Sequence, residues 1–316
     1  MSIDQSGLQF GAQWGDENQP STGPNTPAPS PRPGSTPGSG MQDVRQPAYG
    51  QGIFVSGGTA LAMLVLAIYA IQDEKSTGVP ITETTKPLFW GLAVIAIVAA
   101  AAGAQFVELN AARAAVAVGQ PRGIQLMQTA WAVPLVATTA AVMMIATYHN
   151  TLMLIAGPAI AFFGIAGSLL SRDLLDDATE ATQRSAATIH TLVIHAIAFL
   201  ALSAVYINKI DTIISAPLVG ILSGILILEA LERGVISRPT RVLYSLVGGM
   251  VMTELMVVLN WWPTHGWTGG AVLLVCFYLV SGLLVAHAQR SLLKSRDLVE
   301  YGLVSAVALL ILAVTA

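Results

Sequence analysis

The chain has 316 residues, of which 54% are hydrophobic and 10% charged, and its formal net charge is −3. A mean hydropathy of +0.65, with about half the charge usual for a soluble domain, places it among membrane proteins. The net charge gives no case for nucleic-acid binding, which would show as a basic patch or stripe, and the single cysteine, Cys276, excludes an intrachain disulfide and a multi-cysteine metal site.

Residues 1–50 differ in composition from the rest of the chain. Seven prolines lie between Pro20 and Pro37, interleaved with Ser, Thr and Gly. Such a segment cannot bury enough surface to offset its chain entropy, so we predict a disordered cytoplasmic tail. It lacks the short basic region and apolar core of a signal peptide. Phe10 and Trp14 are candidates for docking on a protein partner, with a plain disordered tail as the alternative.

Residues 51–316 contain apolar segments of the length that crosses a bilayer, which is about 20 residues for a helix. Charge-free runs predict nine spans. The spans are 52–72, 88–107, 124–147, 151–171, 188–207, 212–231, 242–262, 268–288 and 299–316. The long run between Arg122 and Arg172 is divided at Tyr148-His149-Asn150, and the run after Glu254 is divided between Asn260 and Gly266, where Pro and Gly break a helix.

The distribution of basic residues predicts the orientation. If the tail is inside, it and the loops after even-numbered spans carry 12 of the 15 Lys and Arg residues, and only Lys75, Lys86 and Lys209 lie on the other face. The positive-inside rule then places the N-terminus in the cytoplasm and the C-terminus outside. Tyr and Trp residues at the predicted outer ends of the spans agree with this orientation.

The first four spans resemble the next four. The segment AFFGIAGSLL from Ala161 aligns with CFYLVSGLLV from Cys276, and FVEL from Phe106 corresponds in position to ILEA from Ile227. Four spans are an even number, so the halves of such a parallel repeat would share one orientation. The alternative is that apolar helices resemble each other through composition alone.

The predicted seventh span contains one acid, Glu254, a little beyond its middle. An ionised carboxylate at this depth costs on the order of 3 kcal/mol, which the Leu and Val residues of the run offset. Intramembrane acids usually face inward. Glu254 is therefore expected to face a polar cavity or a partner group, or to be a neutral acid bonded to a neighbouring helix. Gly248-Gly249, in the same span, favours close approach of another helix.

Two histidines lie in the predicted fifth span, His190 near the inner interface and His195 about a third of the way across. Their spacing turns them about 140° apart on a helix, so they share no metal-facing stripe, and we predict neither a metal site nor a cofactor. His195 is the better candidate to exchange a proton with Glu254, because chains of Asp, Glu and His form intramembrane relays. The alternative is isolated histidines bonded to neighbouring helices.

Charged residues cluster at the predicted cytoplasmic ends of the spans. Glu108, Glu229 and Arg241 are the candidates for a site at this rim. Glu232, Arg113, Arg233 and Arg238 lie beside them in the sequence. Glu229 and Arg233 stand four apart and can pair on one helix face. A solvated ion-pair rim is the interpretation we favour over a substrate site.

The last third of the chain resembles an uncharacterised family of bacterial polytopic membrane proteins. The similarity is carried by TELMVVLNWWP, FYLVSGLLVAH and LVEYGLVSAVALLIL, around Glu254, Asn260, His287 and Glu300. The resemblance implies a polytopic helical fold and supplies no activity.

We predict an all-α bundle of nine transmembrane helices in a bacterial cytoplasmic membrane, with the lipid bilayer as its partner and oligomerisation left open. One function is a permease-like carrier of a proton, ion or small solute, with Glu254 as its binding carboxylate. Another is a non-catalytic scaffold or accessory subunit whose tail recruits a protein. An intramembrane enzyme acting on a lipid-linked substrate is the third and least favoured possibility. Phosphate-loop, zinc-protease and nucleophile-elbow motifs are absent from the sequence.

Overall fold

The computed structural model describes residues 39–72, 87–117, 129–175, 180–208, 210–232, 236–262, 266–290 and 295–315. Within these residues every regular element is a helix, and each of the nine predicted spans overlaps one. The helices are α1 Ser39–Ile71, α2 Pro87–Ala117, α3 Ala132–Tyr148, α4 Met153–Leu175, α5 Glu180–Ile207, α6 Thr212–Leu231, α7 Arg238–Trp261, α8 Trp267–Arg290 and α9 Ser295–Thr315. Residues 1–38, with most of the predicted tail, lie outside the described residues, as do Lys75, Lys86 and Lys209.

The first helix is longer than its predicted span. It begins at Ser39, directly after the proline-rich run ends at Pro37, and includes residues that the sequence assigns to the tail. The described helices belong to one compact unit, Gly40–Ala316. The boundary between the two parts of the chain therefore follows the last of the clustered prolines.

Seven of the described helices are long and apolar enough to cross a membrane. They are α1, α2 and α4 to α8. The other two apolar helical stretches, α3 and residues 298–314 of α9, are shorter. Seven such helices in one chain identify a multi-pass membrane protein.

Both predicted breaks in the long apolar runs are confirmed. α3 ends at Tyr148, His149 adopts a left-handed conformation (φ 39°) and the Asn150 side chain accepts a hydrogen bond from the Met153 amide at 3.2 Å. α7 ends at Trp261 and α8 begins at Trp267, directly after Gly266, whose φ of 52° suits a residue without a Cβ.

The short helix α3 lies at the centre of the bundle. It packs against α2, α4, α5 and α6, and the residues on all of its sides are buried, including Val133, Ala137, Ala140 and Met144. A helix that is apolar all round belongs in a core. Because α3 is enclosed by other helices, its 17 residues need not match the thickness of the lipid.

Helices α6 and α7 pack against each other along an extensive interface. A Cβ on Gly249 of α7 would lie 2.7 Å from the Gly220 carbonyl oxygen of α6, and one on Gly248 would lie 2.6 Å from the Ile227 side chain. The glycines therefore let the two backbones meet, as small residues do in membrane helix pairs. The predicted packing role of Gly248-Gly249 is confirmed.

The two halves of the bundle share one pattern of neighbours. In the second half α5 contacts α6 and α8, α6 contacts α7 and α8, and α7 contacts α8. In the first half α2 contacts α3 and α4, and α3 contacts α4. Close approaches of Val55 to Gly103 and of Gly52 to Leu169 place α1 beside α2 and α4. This correspondence supports the parallel repeat of four helices.

Candidate functional site

A cavity of about 220 Å³ lies between α5, α8 and α9, beside the last turn of α6. We call it the histidine cavity. Its polar wall residues include His190, Thr191, His195, Tyr278, Ser281 and Tyr301. On α5 the wall residues recur at helical spacing, from Ala187 to His195, so they form one stripe with a histidine near each edge.

A glycine shapes the opposite wall. A Cβ on Gly282 of α8 would lie 2.5 Å from the Tyr301 ring of α9, so that ring can pack here only because residue 282 has no side chain. The rings of Tyr278 and Tyr301 are 5.5 Å apart between centroids. The cavity thus has histidines on one side and tyrosines on the other.

Next to the cavity lies a buried ion-pair cluster, which we call the Arg172 cluster. It consists of Arg172 from α4, Glu229 and Glu232 from the end of α6, and Thr129, which precedes α3. The Arg172 guanidinium donates to Glu229 Oε1 and, at 2.8 Å, to Glu232 Oε2, which also accepts from the Thr129 hydroxyl. The Arg172 and Glu229 side chains are only 6% and 1% exposed. Each ion is therefore held by its partners and not by water.

A third acid lies near the Arg172 cluster. Arg172 is also close enough to Glu108 of α2 for electrostatic attraction. Burial raises the pKa of the Glu232 carboxyl above its usual value, Arg172 opposes this rise, and Glu229 adds to it. Glu232 therefore takes up a proton more readily than an ordinary glutamate.

His190 belongs to both the cavity and the Arg172 cluster. Its ring is 4% exposed and lines the cavity. Its Nδ1 is 2.9 Å from the Ser171 hydroxyl, and its Nε2 is 3.4 Å from Glu229 Oε1. His190 thus lies between the cavity and the ion pairs.

His195 lies farther along α5. Its Nδ1 donates to the Thr191 carbonyl at 2.8 Å, and its ring packs edge-on against Phe277 and Tyr278 of α8. Its Nε2 is buried and has no hydrogen-bond partner among the described residues. The expected contact with Glu254 is not what the structure shows.

Glu254 lies on the exposed face of α7, among Met250, Val257 and Val258. The buried face of this helix is the glycine side, which continues to Met252 and Met256. Glu254 lines neither the histidine cavity nor the apolar cavity of about 370 Å³ between α7, α8 and α9. This exposed position does not match the expected polar cavity.

The expectation of a solvated charged rim is wrong for four residues. Glu108, Glu229, Glu232 and Arg241 are all buried. Arg241 Nε is itself a buried atom without a hydrogen-bond partner in the described part of the chain. The proposed pairing of Glu229 with Arg233 concerns a residue outside the described ranges.

Arg172 is the site residue that sequence reasoning missed. It follows the apolar run of α4 directly, and a charge at such a position is usually solvated. Ser168 and Ser171, on the same helix and both buried, are the signal that could have identified a polar buried face.

No group of three or more His, Cys, Asp or Glu side chains among the described residues is arranged to hold a metal ion. Cys276 is a free thiol at the wall of the apolar cavity. The polar side chains that line the histidine cavity are imidazole, hydroxyl and phenol groups, all of which can form hydrogen bonds.

Comparison with known proteins gives a family match. Searches of the curated proteins and of the solved structures each find none. The sequence of residues 73–315 matches a family described as protein of unknown function (DUF5656), which extends well beyond the last third of the chain that carries the resemblance noted above. Because this match covers most of its length, the chain belongs to the DUF5656 family of proteins of unknown function.

Proposed function

We propose that the protein is a permease-like carrier of a proton, an ion or a small solute, and that the histidine cavity is its binding site. The observation that carries the proposal is the cavity itself. Polar and ionisable groups inside a membrane bundle are costly, and they usually mark substrate or ion pathways. Here two histidines from α5 and two tyrosines from α8 and α9 surround one space of about 220 Å³.

The size of the cavity favours a small cargo. Pockets for drug-sized ligands run from about 300 to 1,000 Å³, so a space of about 220 Å³ suits an ion, a few waters or a solute of a few heavy atoms. Glu254, the binding carboxylate that the sequence suggests, does not line this space. The carrier role therefore rests on His190 and His195.

Replacing His195 with Leu should lower transport about tenfold, because the cavity then loses a hydrogen-bond partner for a polar cargo. Currents and fluxes would be measured in proteoliposomes, with monovalent cations, protons, small amines, small carboxylates and small uncharged solutes supplied one at a time. His287→Leu is the matched control: His287 is also partly buried, but it packs against Tyr244 outside the cavity. No flux above that of empty liposomes, or full flux with His195→Leu, would overturn the proposal.

The second candidate function is a non-catalytic scaffold or accessory subunit, and the position of Glu254 favours it. A carboxylate facing lipid in the middle of a bilayer costs about 2.5 to 3.5 kcal/mol. A transmembrane helix of another protein, or of a second copy, would remove that cost by supplying a hydrogen-bond donor at the same depth. The N-terminal tail, residues 1–38 of which lie outside the described ranges, is the second proposed contact for a protein partner.

This candidate predicts that a partner co-purifying in mild detergent is lost when Glu254 becomes Leu and is kept when it becomes Gln, which still forms hydrogen bonds. Val251→Ala, on the same exposed face, is the control and should retain the partner. Deletion of residues 1–45 separates a contribution of the tail from that of α7. If neither Glu254→Leu nor the deletion changes the composition of the purified complex, the accessory role fails.

We also propose that the protein resides in a bacterial cytoplasmic membrane, with the ends of α2, α4, α6 and α8 in the cytoplasm. The excess of Lys and Arg on that side, 12 of 15 in the whole sequence, supports this orientation. Labelling of a C-terminal tag from outside intact cells would decide it.

A further inference from the structure

The outward face of α7 carries a continuous stripe of exposed side chains, which we call the α7 stripe. Among the described helices α7 packs against α6 and α8, and the stripe lies on the side opposite its glycines. Its residues are spaced alternately four and three apart, which keeps them on one face of a helix. They are Leu243, Val247, Met250, Glu254, Val257 and Trp261. All are exposed, and all except Glu254 are apolar.

Glu254 needs a partner at its own depth in the membrane. It forms no hydrogen bond or ion pair with another described residue, and a carboxyl group without a partner is costly in hydrocarbon. The nearer end of α7 is Trp261, seven residues away, or roughly 10 Å along the axis. Side chains on a helix tilt towards its N-terminus, which is away from that end. The short side chain of Glu254 is therefore directed away from the nearer interface.

A carboxylic acid is its own hydrogen-bond complement. It has one O–H donor, and its other oxygen accepts. Two such groups that face each other can form two hydrogen bonds, and the pair of neutral acids places no net charge in the lipid. A second Glu254 is therefore a sufficient partner for the first.

A second copy of the chain brings its Glu254 to the required depth. All copies insert with the same orientation, because the same basic loops remain on one side of the membrane. A two-fold axis that relates two such copies must run along the membrane normal, so equivalent residues lie at the same depth. In a two-fold interface the same patch of each copy faces the other, and residues close to the axis meet their own counterparts. A helix of another protein would need an independent donor at this level.

We infer that the α7 stripe is the interface of a homodimer in the membrane, in which two parallel α7 helices pack together and their Glu254 carboxyl groups bond to each other. The apolar residues of the stripe pack between the helices on either side of this pair. A single polar residue in such a seam fixes the register and the number of helices. The inference does not rest on the carrier function. It goes beyond the accessory role by naming a second copy as the partner of Glu254.

Cysteine cross-linking in native membranes tests the face. Cys276→Ser removes the single native thiol, and Met250→Cys then places one thiol on the α7 stripe. Val98→Cys on α2 is the matched control, because Val98 and Met250 are 60% and 66% exposed. Each also lies eleven residues from one end of its helix, Pro87 for α2 and Trp261 for α7. Upon oxidation, dimers of Met250→Cys should form about tenfold faster than dimers of Val98→Cys, because a specific interface holds the two thiols at a high effective concentration.

The dissociation constant of the dimer in lipid bilayers tests the acid. Single-molecule photobleaching over a range of protein densities measures this constant. Glu254→Leu should raise it about tenfold, through the loss of the hydrogen bonds between the helices. Glu254→Gln retains a donor and an acceptor, so its dissociation constant should stay within about threefold of the wild-type value.

The inference is overturned by a wild-type protein that stays monomeric at the highest density, by equal cross-linking of Met250→Cys and Val98→Cys, or by an unchanged dissociation constant in Glu254→Leu. The wild-type stoichiometry decides the matter even if a variant does not fold. Cross-linking of Met250→Cys to a different polypeptide would overturn the second copy and favour the accessory role. A dimer without flux in proteoliposomes would sink the carrier function and keep the homodimer.

Discussion

Replacing Arg172 with Met is expected to lower the free energy of unfolding by about 3 to 5 kcal/mol, the cost of leaving a buried ion without its partner. Arg172 is the shared cation of Glu229 and Glu232, and all three side chains are buried. Without it, two carboxylates face each other beneath the ends of the helices. Unfolding in mixed micelles, followed by circular dichroism, would measure the change.

The loss of stability in Arg172→Met comes from the unpaired carboxylates of Glu229 and Glu232, so replacing these two residues should reverse it. Adding Glu229→Gln and Glu232→Gln to Arg172→Met removes the unpaired charges, so we expect most of the lost stability to return. Arg113→Met is the matched control, because Arg113 is an exposed arginine near the end of α2, where a substitution should change stability by no more than about 0.5 kcal/mol. An Arg172→Met protein within about 1 kcal/mol of wild type would contradict the buried cluster.

Hydropathy was sufficient to predict the helices, because the bilayer imposes a length on every apolar run and because Pro, Gly and Asn mark the turns. It did not predict that α3 is the central helix. Length and mean hydropathy do not report which neighbours surround a helix. The residue types of α3 carry that information: they are mostly Ala, Val, Thr and Met, with Leu135 as the only leucine. Helices on the outside, such as α7 and α9, have Leu and Val residues exposed.

The sequence predicted individual residues of the candidate site but not how they come together. His190, His195 and Glu229 each attract notice as polar residues in or beside apolar runs. Their assembly depends on which helices meet, and one sequence does not contain that information. The angle of about 140° between the two histidines argues correctly against chelation of one metal from α5 alone. It does not exclude a cavity that is lined by both edges of a wide helical stripe.

Glu254 shows the difference between depth and direction. Its place in the sequence gives its depth in the membrane, and the inward direction was assumed because most intramembrane acids face inward. The pattern of α7 contains the correction: Gly249, Met252 and Met256 recur at helical spacing and mark the buried face. Glu254 follows Met252 by two residues, or about 200° of rotation, so it belongs on the opposite face.

Replacing Gly249 with Ala is expected to lower the free energy of unfolding by about 1 to 3 kcal/mol, although alanine is the better helix former. The added Cβ would lie 2.7 Å from the Gly220 carbonyl oxygen and 3.4 Å from the Gly224 Cα. Both atoms belong to the backbone of α6 and cannot rotate away as a side chain could. The two helices must therefore separate, and contacts along the whole of their interface weaken.

Separation of α6 from α7 should also weaken the ion pair between Arg172 and Glu229, since α6 carries Glu229 roughly 13 Å beyond Gly220 along its axis. We therefore expect Gly249→Ala and Arg172→Met to combine with less than the sum of their separate losses, because the first already weakens the ion pair that the second removes. Gly57→Ala on α1 is the control: a Cβ there meets no atom within 4 Å, so its effect should be neutral or stabilising by up to about 1 kcal/mol. Equal stability of the Gly57→Ala and Gly249→Ala proteins would mean that α6 and α7 are not in backbone contact. If the stability losses of Gly249→Ala and Arg172→Met are strictly additive, this contact does not position Glu229.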